Sequence, residues 1–283
     1  MKKFAVIILS HGRAGNMKTI STLRRCGYSG KIYILLDDED DQIDEYRKLK
    51  DAEIVVFCKT EEMQNTDTID NFNKHKAVVY ARNKCHEVAR QIGLDYFLEL
   101  DDDYSSFQFR YPDEENEKLL VSECRNLDKV FESMLNFLDA SGAYAVALAQ
   151  GGDFIGGVSS QFWQKQISRK VMNSFFCRTD KPFKFLGSIN EDVNAYVTLG
   201  QKGKLFFTVG KCMLVQTATQ QSEGGLTDIY LDLGTYVKSF YSVICSPSCV
   251  KVCSMGVNYH RIHHRINADK CYPQILHERW KKS

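Results

Sequence analysis

Tyr96-Phe97-Leu98-Glu99-Leu100-Asp101-Asp102-Asp103-Tyr104 is an apolar run that ends in three aspartates. It predicts a buried strand over Tyr96–Leu100 with carboxylates at its C-terminal end. A strand delivers alternate side chains to the same side, so Asp101 and Asp103 are placed to converge on one cation. Hard divalent ions such as Mg²⁺ and Mn²⁺ prefer oxygen ligands and often bridge a carboxylate to substrate phosphates. Open α/β sheets hold their ligands at the C-terminal ends of strands. The same triplet also suits a solvated acidic turn, so the surrounding pattern has to decide.

Upstream of this run, strands alternate with helices. Phe4–Leu9, Lys31–Leu36 and Ala52–Cys58 read as buried strands. Helices are predicted over residues 16–27, with Met17, Ile20, Leu23 and Cys26 on one face, over Asp40–Leu49, and over Lys76–Ile92. Strands separated by helices imply a parallel sheet with right-handed crossovers. After Asp103 the rhythm changes. Ser106–Tyr111, Tyr144–Ala149, Lys204–Val209 and Val250–Ser254 read as strands, and Asn126–Ser141, Glu191–Leu199 and Asp228–Ser242 as helices. Residues 153–189 look irregular. No repeat or linker divides the chain, which reads as one domain over 1–283. Its nucleotide-binding half is 1–104, and its acceptor-binding and catalytic half is 105–283.

Composition narrows the function. The chain has 283 residues and 43% hydrophobic content, enough for a well-packed core. Lys plus Arg number 37 against 36 acidic residues, a net charge of +1. Binding to nucleic acid would therefore need a local patch, not a global field. The ten cysteines include no C-x-x-C pair and read as buried thiols of a reducing compartment. Cys245, Cys249 and Cys253, four apart, are a weaker candidate for a metal cluster. Two lysines and six apolar residues before Ser10-His11-Gly12 make a first strand, not a signal-peptide core. No stretch approaches the ~20 apolar residues of a membrane span.

Several further constellations can carry chemistry. Ser10-His11-Gly12-Arg13-Ala14-Gly15-Asn16 joins the first strand to a helix. Its glycines let backbone approach a ligand, and a helix N-terminus favours phosphate. It matches neither a dinucleotide fingerprint nor a P-loop. Arg13 is the residue there expected at a diphosphate or base. Asp37 and Asp38 end the second strand, where a carboxylate can bond ribose hydroxyls. An EF-hand over Asp37–Lys48 is excluded, because Gln42 and Lys48 replace its required Gly and Glu. Arg82 and Asn83 are candidates to reach the nucleotide from below. Glu191 and Asp192 open a helix, where they can cap it or serve as general base, with Asp192 preferred. His260, His263, His264 and Arg265 form a basic cluster that can add a metal ligand (His263 or His264) or a diphosphate contact (Arg265). Trp163, Arg178 and Lys181 belong to an aromatic and basic stretch that can grip a base and its phosphates, or simply anchor a loop. Ser222-Glu223-Gly224-Gly225 reads either as a loop over a donor or as a plain turn.

The strings ILSHGRAGN, LELDDDYSSF, SINEDVNAYVTLGQKG and YHRIHHRI, in this order, resemble the TET-associated glycosyltransferases of bacteriophages, over residues 4–275. The resemblance implies an α/β, GT-A-like single domain with a Rossmann-type half and a mixed central sheet. It implies a sugar moved from a nucleotide-sugar, a UDP-sugar by expectation, to a hydroxymethylated pyrimidine such as 5-hydroxymethylcytosine in phage DNA. By position, Asp101, Asp103 and one of His263 or His264 would hold Mn²⁺ or Mg²⁺. Ser10, His11, Gly12, Arg13, Asp37, Asp38, Arg82, Asn83, Asp102 and Arg265 would line the donor pocket. Asp192, or Glu191, would be the base, and Trp163, Arg178 and Lys181 would meet the acceptor. The expected location is the cytoplasm of the infected bacterial host. Three alternatives remain at this stage: a protein or polysaccharide acceptor, a nucleotidyltransferase, and a non-catalytic binding module.

Overall fold

The computed structural model describes residues 2–70, 77–113, 115, 118–216, 236–255 and 260–272. Its first half is β1 (Phe4–Leu9), α1 (Lys18–Arg25), β2 (Lys31–Asp37), α2 (Ile43–Tyr46), β3 (Glu53–Phe57), α3 (Lys59–Gln64), α4 (Val79–Gln91) and β4 (Tyr96–Asp101). β1 pairs in parallel with β2 and β4, and β2 with β3. These are the strands foreseen from the apolar runs. The predicted Asp40–Leu49 helix shrinks to a single turn, because its acids leave only Tyr46 to bury.

The second half continues the same sheet. β5 (Tyr104–Asp113) and β6 (Lys118–Glu123) form a hairpin, followed by α5 (Leu127–Ser141) and β7 (Ala145–Ala149). Then come α6 (Gln161–Lys165), β8 (Ile167–Ser168), β9 (Ser174–Arg178), α7 (Glu191–Gln201) and β10 (Phe206–Gln216). The strand order is β3-β2-β1-β4-β9-β7-β10-β5-β6, with β8 also on β10. β9 runs antiparallel to both β4 and β7, so the sheet is mixed and β7 points the same way as β4. The stretch expected to be irregular thus contains a central strand. Its signal is the apolar run Phe175-Phe176-Cys177, buried throughout.

Alternation along the strands sorts the core into two layers. Ala5, Ile7, Leu9 and Phe97 face α4 and α7, where Val79, Val88, Val193 and Val197 pack. Val6, Ile8, Leu98 and Leu100 face α1 and α5, against Leu23, Phe131 and Leu138. α5 is well delimited: Asn126 accepts a hydrogen bond from the Lys129 amide at 3.2 Å, and Gly142, at φ 66°, ends it in the left-handed conformation. A separate hairpin of β11 (Val250–Met255) and β12 (Arg261–Ile266) packs on the helix Val237–Cys245. Of the predicted helix Asp228–Ser242, residues 228–235 lie outside the described residues, as does Ser222–Gly225. Among the described residues no helix is long and apolar enough to cross a membrane.

Candidate active site

Strand alternation puts Glu99 and Asp101 on the face of Phe97, beneath α4 and α7. There they meet Arg82, one turn into α4 and 3% exposed. Its guanidinium donates to Glu99 at 2.6 Å, to Glu191 at 2.8 Å and to Asp101 at 3.1 Å. It also lies over the Phe175 ring, 5.1 Å from the centroid. One cation therefore ties the end of β4 to the first residue of α7. Burial lowers the Arg82 pKa, but the three carboxylates outweigh it and hold it above its ordinary value. Glu99 is a member of this node that the sequence reading passed over. Its signal is plain: a single acid inside an otherwise apolar buried strand.

The three aspartates face different neighbours. Asp101 takes Arg82 and, at 3.3 Å, the Tyr104 hydroxyl. Asp102 turns to the first loop, accepting from Ser10 Oγ at 2.5 Å and Arg13 Nη1 at 3.0 Å. Thr19 staples the turn by donating its hydroxyl to the Asp101 carbonyl and its amide to the Asp102 carbonyl. Asp103 accepts from Gln216 Nε2, at the end of β10, at 3.4 Å. Burial and the charges of Asp101 and Asp102 push the Asp103 carboxyl up to about 6. A bound divalent cation would relieve that repulsion, so the carboxylates of Asp101 and Asp103 fit a hard metal ion.

Asp192 is 7% exposed on the first turn of α7. One carboxylate oxygen accepts the Val193 amide at 2.7 Å. Burial and the neighbouring Glu191 push its pKa up to about 7, against the pull of Arg82. Asn190 enters the helix in the left-handed conformation, φ 53°, anchored by bonds to the Lys238 carbonyl and Ser242.

The first loop is more occupied than a phosphate cradle. Gly12 N donates to Asp40 at 2.8 Å, Arg13 N to the Tyr46 hydroxyl at 2.8 Å and Ala14 N to Gln42 at 3.0 Å. Gly12 needs its freedom, at φ 65°. His11 and Lys59 both bond Asp37, at 2.8 Å and 3.2 Å. Burial would raise the Asp37 carboxyl, but these partners hold it below the ordinary range. The same hydrogen bond raises His11. Asp38 is bonded by the Lys59 amide. Asn83 is buried, bridging Thr66 and both backbone groups of Phe185. Arg82 and Asn83 thus brace the site from within, their side chains taken by protein partners.

Other expected members stand apart. β9 pairs Ser174 with Leu100 but Arg178 with Tyr96, so Arg178 sits at the far end of β4 from Asp101. It is held there by Asp139 and Asp180, and Lys181 donates to the Gly142 carbonyl. This differs from their expected place at the acceptor; the direction of β9, hidden in the sequence, is the reason. Trp163 packs with Ala149, Phe154 and Met213. His263, His264 and Arg265 lie on β12, whose hairpin pairs only with itself. Among the described residues no three His, Cys, Asp or Glu side chains gather to hold an ion. The histidines therefore do not join Asp101 and Asp103 here. Burial, with His263 and Lys238 adding to it, pushes His264 down to about 4.

Among solved structures, the chain is similar to glucosyl-3-phosphoglycerate synthase of Mycobacterium tuberculosis in complex with Mn²⁺, UDP and phosphoglyceric acid (10% identity, TM-score 0.47, covering 95% of this chain and 90% of that one). It is also similar to the mannosyltransferase PcManGT of Pyrobaculum calidifontis in complex with GDP-Man and Mn²⁺ (9%, 0.46, 87% and 74%). A third is a CMP:2-keto-3-deoxy-manno-octonic acid synthetase complexed with CTP (9%, 0.43, 82% and 96%). No curated protein matches. The family model of the TET-associated glycosyltransferases matches residues 4–225, a span that holds the first loop, the aspartate turn, Arg82 and Asp192. The chain belongs to that family and is a glycosyltransferase.

Proposed function

We propose that this glycosyltransferase moves a sugar from a nucleotide-sugar, a UDP-sugar, to a hydroxymethylated pyrimidine in DNA. The observation that carries the reading is the junction at Arg82. It ties a metal-suited carboxylate, Asp101, to the helix that bears a buried carboxylate tuned to neutral pH, Asp192. Asp101 and Asp103 would hold a divalent ion, which prefers such oxygen ligands. Such an ion, when bound, neutralises the leaving diphosphate as a Lewis acid. The two solved glycosyltransferases named above carry Mn²⁺ with UDP or GDP-Man, and this chain's oxygen donors suit the same ion.

The protein's own groups do the rest. Asp102 fixes Ser10 and Arg13 at the mouth of the first loop, where Arg13 can meet the diphosphate or base. The His11–Asp37 pair, at the end of β2, would meet the ribose of the donor. Asp192 takes the proton of the acceptor hydroxymethyl group as the hydroxymethyl oxygen attacks the anomeric carbon and the bond from that carbon to the UDP leaving group breaks. A general base is most effective with a pKa near the working pH. A base reacting from within a duplex must first leave the stack, at about a few kcal/mol.

The test is UDP release from a panel of UDP-sugars with Mn²⁺, with and without DNA containing 5-hydroxymethylcytosine. Release that depends on the modified DNA supports donor and acceptor together. Release independent of DNA removes the acceptor. Pyrophosphate formed from a nucleoside triphosphate would move the reaction to nucleotidyl transfer.

A further inference from the structure

Beside α7 an open cleft of about 700 Å³ is lined by Asp153, Lys165, Arg169, Lys170, Asp269 and Tyr272. One rim, at Asp153, follows β7, which runs parallel to β4, and the other, at Tyr272, lies against the last turn of α7. Lys170 is paired with the buried carboxylate of Asp153, while Lys165 and Arg169 are exposed. Arg169 is held in place: its carbonyl accepts from the Tyr272 hydroxyl at 2.5 Å, and its guanidinium lies 3.7 Å over the Tyr272 ring. A guanidinium stacked on an aromatic face keeps its N–H edges available for a planar oxyanion.

The floor of the cleft is shaped for this stack. Gly200 lies within α7, where glycine costs about 1 kcal/mol relative to alanine. A Cβ there would stand 2.8 Å from the Tyr272 ring. Glycine lets Tyr272 lie close against the helix, and Tyr272 carries Arg169. Eight residues separate Gly200 from Asp192, about 12 Å along the helix axis. Each nucleotide of a strand advances about 3.4 Å along a duplex axis, and an extended single strand advances further. The stack is thus within about four nucleotide steps of the base.

We infer that this cleft binds the phosphodiester backbone of the acceptor strand, with Arg169 and Lys165 on phosphates within about four nucleotides of the reacting pyrimidine. The inference rests on the DNA-acceptor reading above. The N–H edges of a guanidinium held by Tyr272, with a lysine beside it, suit phosphate oxygens.

The test measures binding of single-stranded oligonucleotides containing hydroxymethylcytosine across a salt series. The Lys165→Ala/Arg169→Ala protein is expected to bind a long strand about ten-fold more weakly. Its slope of log K against log salt is expected to shrink by about 1.4, roughly 0.7 for each phosphate of a single strand that is no longer neutralised. A single modified nucleotide, too short to span the roughly 12 Å to the cleft, is expected to bind both proteins equally. Arg169→Lys is expected to keep the slope but lose part of the affinity, and Gly200→Ala to weaken long-strand binding through Tyr272. An unchanged affinity and slope in the double variant overturns the cleft and leaves the DNA reading standing. Failure of the parent protein to bind DNA, or its capture of an acidic protein acceptor instead, overturns both.

Discussion

The two ends of β4 carry similar residues and behave oppositely. At the N-terminal end, Arg178 and Lys2 bond Asp139, Arg178 also grips Asp180, and all four are at least partly exposed. Cations match acids there. The paired carboxylates of Asp139 and Asp180 sit below the ordinary range, Asp139 despite its partial burial. At the C-terminal end, one buried cation, Arg82, serves Glu99, Asp101 and Glu191, with Asp103 and Asp192 close by. Acids outnumber cations, and burial raises Glu99, Asp103 and Asp192. A balanced exposed cluster fastens strand ends. A buried cluster with surplus negative charge is arranged for something that arrives with positive charge, and this contrast sets the active end apart from its mirror.

The contrast breaks most sharply at the aspartates. Asp101→Ala and Asp103→Ala are each expected to lower sugar transfer at least about a thousand-fold, since a Lewis acid supplies several kcal/mol of transition-state stabilisation. Thermal unfolding would show that the fold persists. Activity retained in both variants would detach the metal from this turn.

Asp192→Asn is expected to lower turnover about a hundred- to ten-thousand-fold, with donor affinity little changed. In the parent protein the rate should climb as pH rises through about 7, because the base acts only when deprotonated. The variant should lose that limb. A parallel fall in donor affinity, measured by calorimetry with UDP, would make Asp192 a binding residue.

The ends also differ in what their arginines contribute to stability. Arg82→Met leaves three carboxylates without their shared cation, and removing one partner of a buried pair costs about 3–5 kcal/mol. Arg178→Met breaks partly exposed pairs, for which about 0–1 kcal/mol is expected. Denaturant titration of the two variants gives the comparison directly, and equal losses would erase it.

A smaller effect comes from His86, which is 5% exposed between the Phe97 and Phe183 rings with no hydrogen bond to either nitrogen among the described residues. Burial pushes its pKa down to about 4, from an ordinary value of 6.5. The folded protein therefore binds this proton less readily than the unfolded chain. Stability is complete above about pH 6.5 and falls as pH drops toward 4, by up to about 3 kcal/mol. His86→Phe should flatten that part of the melting-temperature profile. Glu99 and Asp192, raised in the fold, work in the other direction over a similar range, so the difference between variant and parent is the quantity to read.

Much of this was legible in the sequence where one residue type dominates a stretch. The apolar runs Phe4–Leu9 and Tyr96–Leu100 dictate central strands, and the aspartates at the end of the second mark the candidate site. The direction of β9 was not legible, because the three apolar residues Phe175–Cys177 read the same whichever way they pair. Nothing local therefore told that Arg178 would fall at the opposite end of β4 from Asp101. The occupancy of the first loop was equally hidden. Its amides are taken by Asp40, Gln42 and Tyr46, residues whose spacing suggested only a solvated helix start. Arg82 was legible as important but not in its role, since nothing local tells a buried brace from a ligand contact.

The position of β9 also governs how this chain can be made. β4 is complete by residue 101, yet the strand that covers its free edge begins at Ser174 and β7 must reach the same strand from its other side. Until then β4 is an open edge of apolar backbone, the kind of surface that pairs with other chains. Such distant pairing is slow, because loop closure must precede the contacts that reward it. During synthesis the donor half therefore stays unsealed for more than seventy residues, and a chain truncated before Ser174 is an aggregation hazard and not a smaller nucleotide-binding domain.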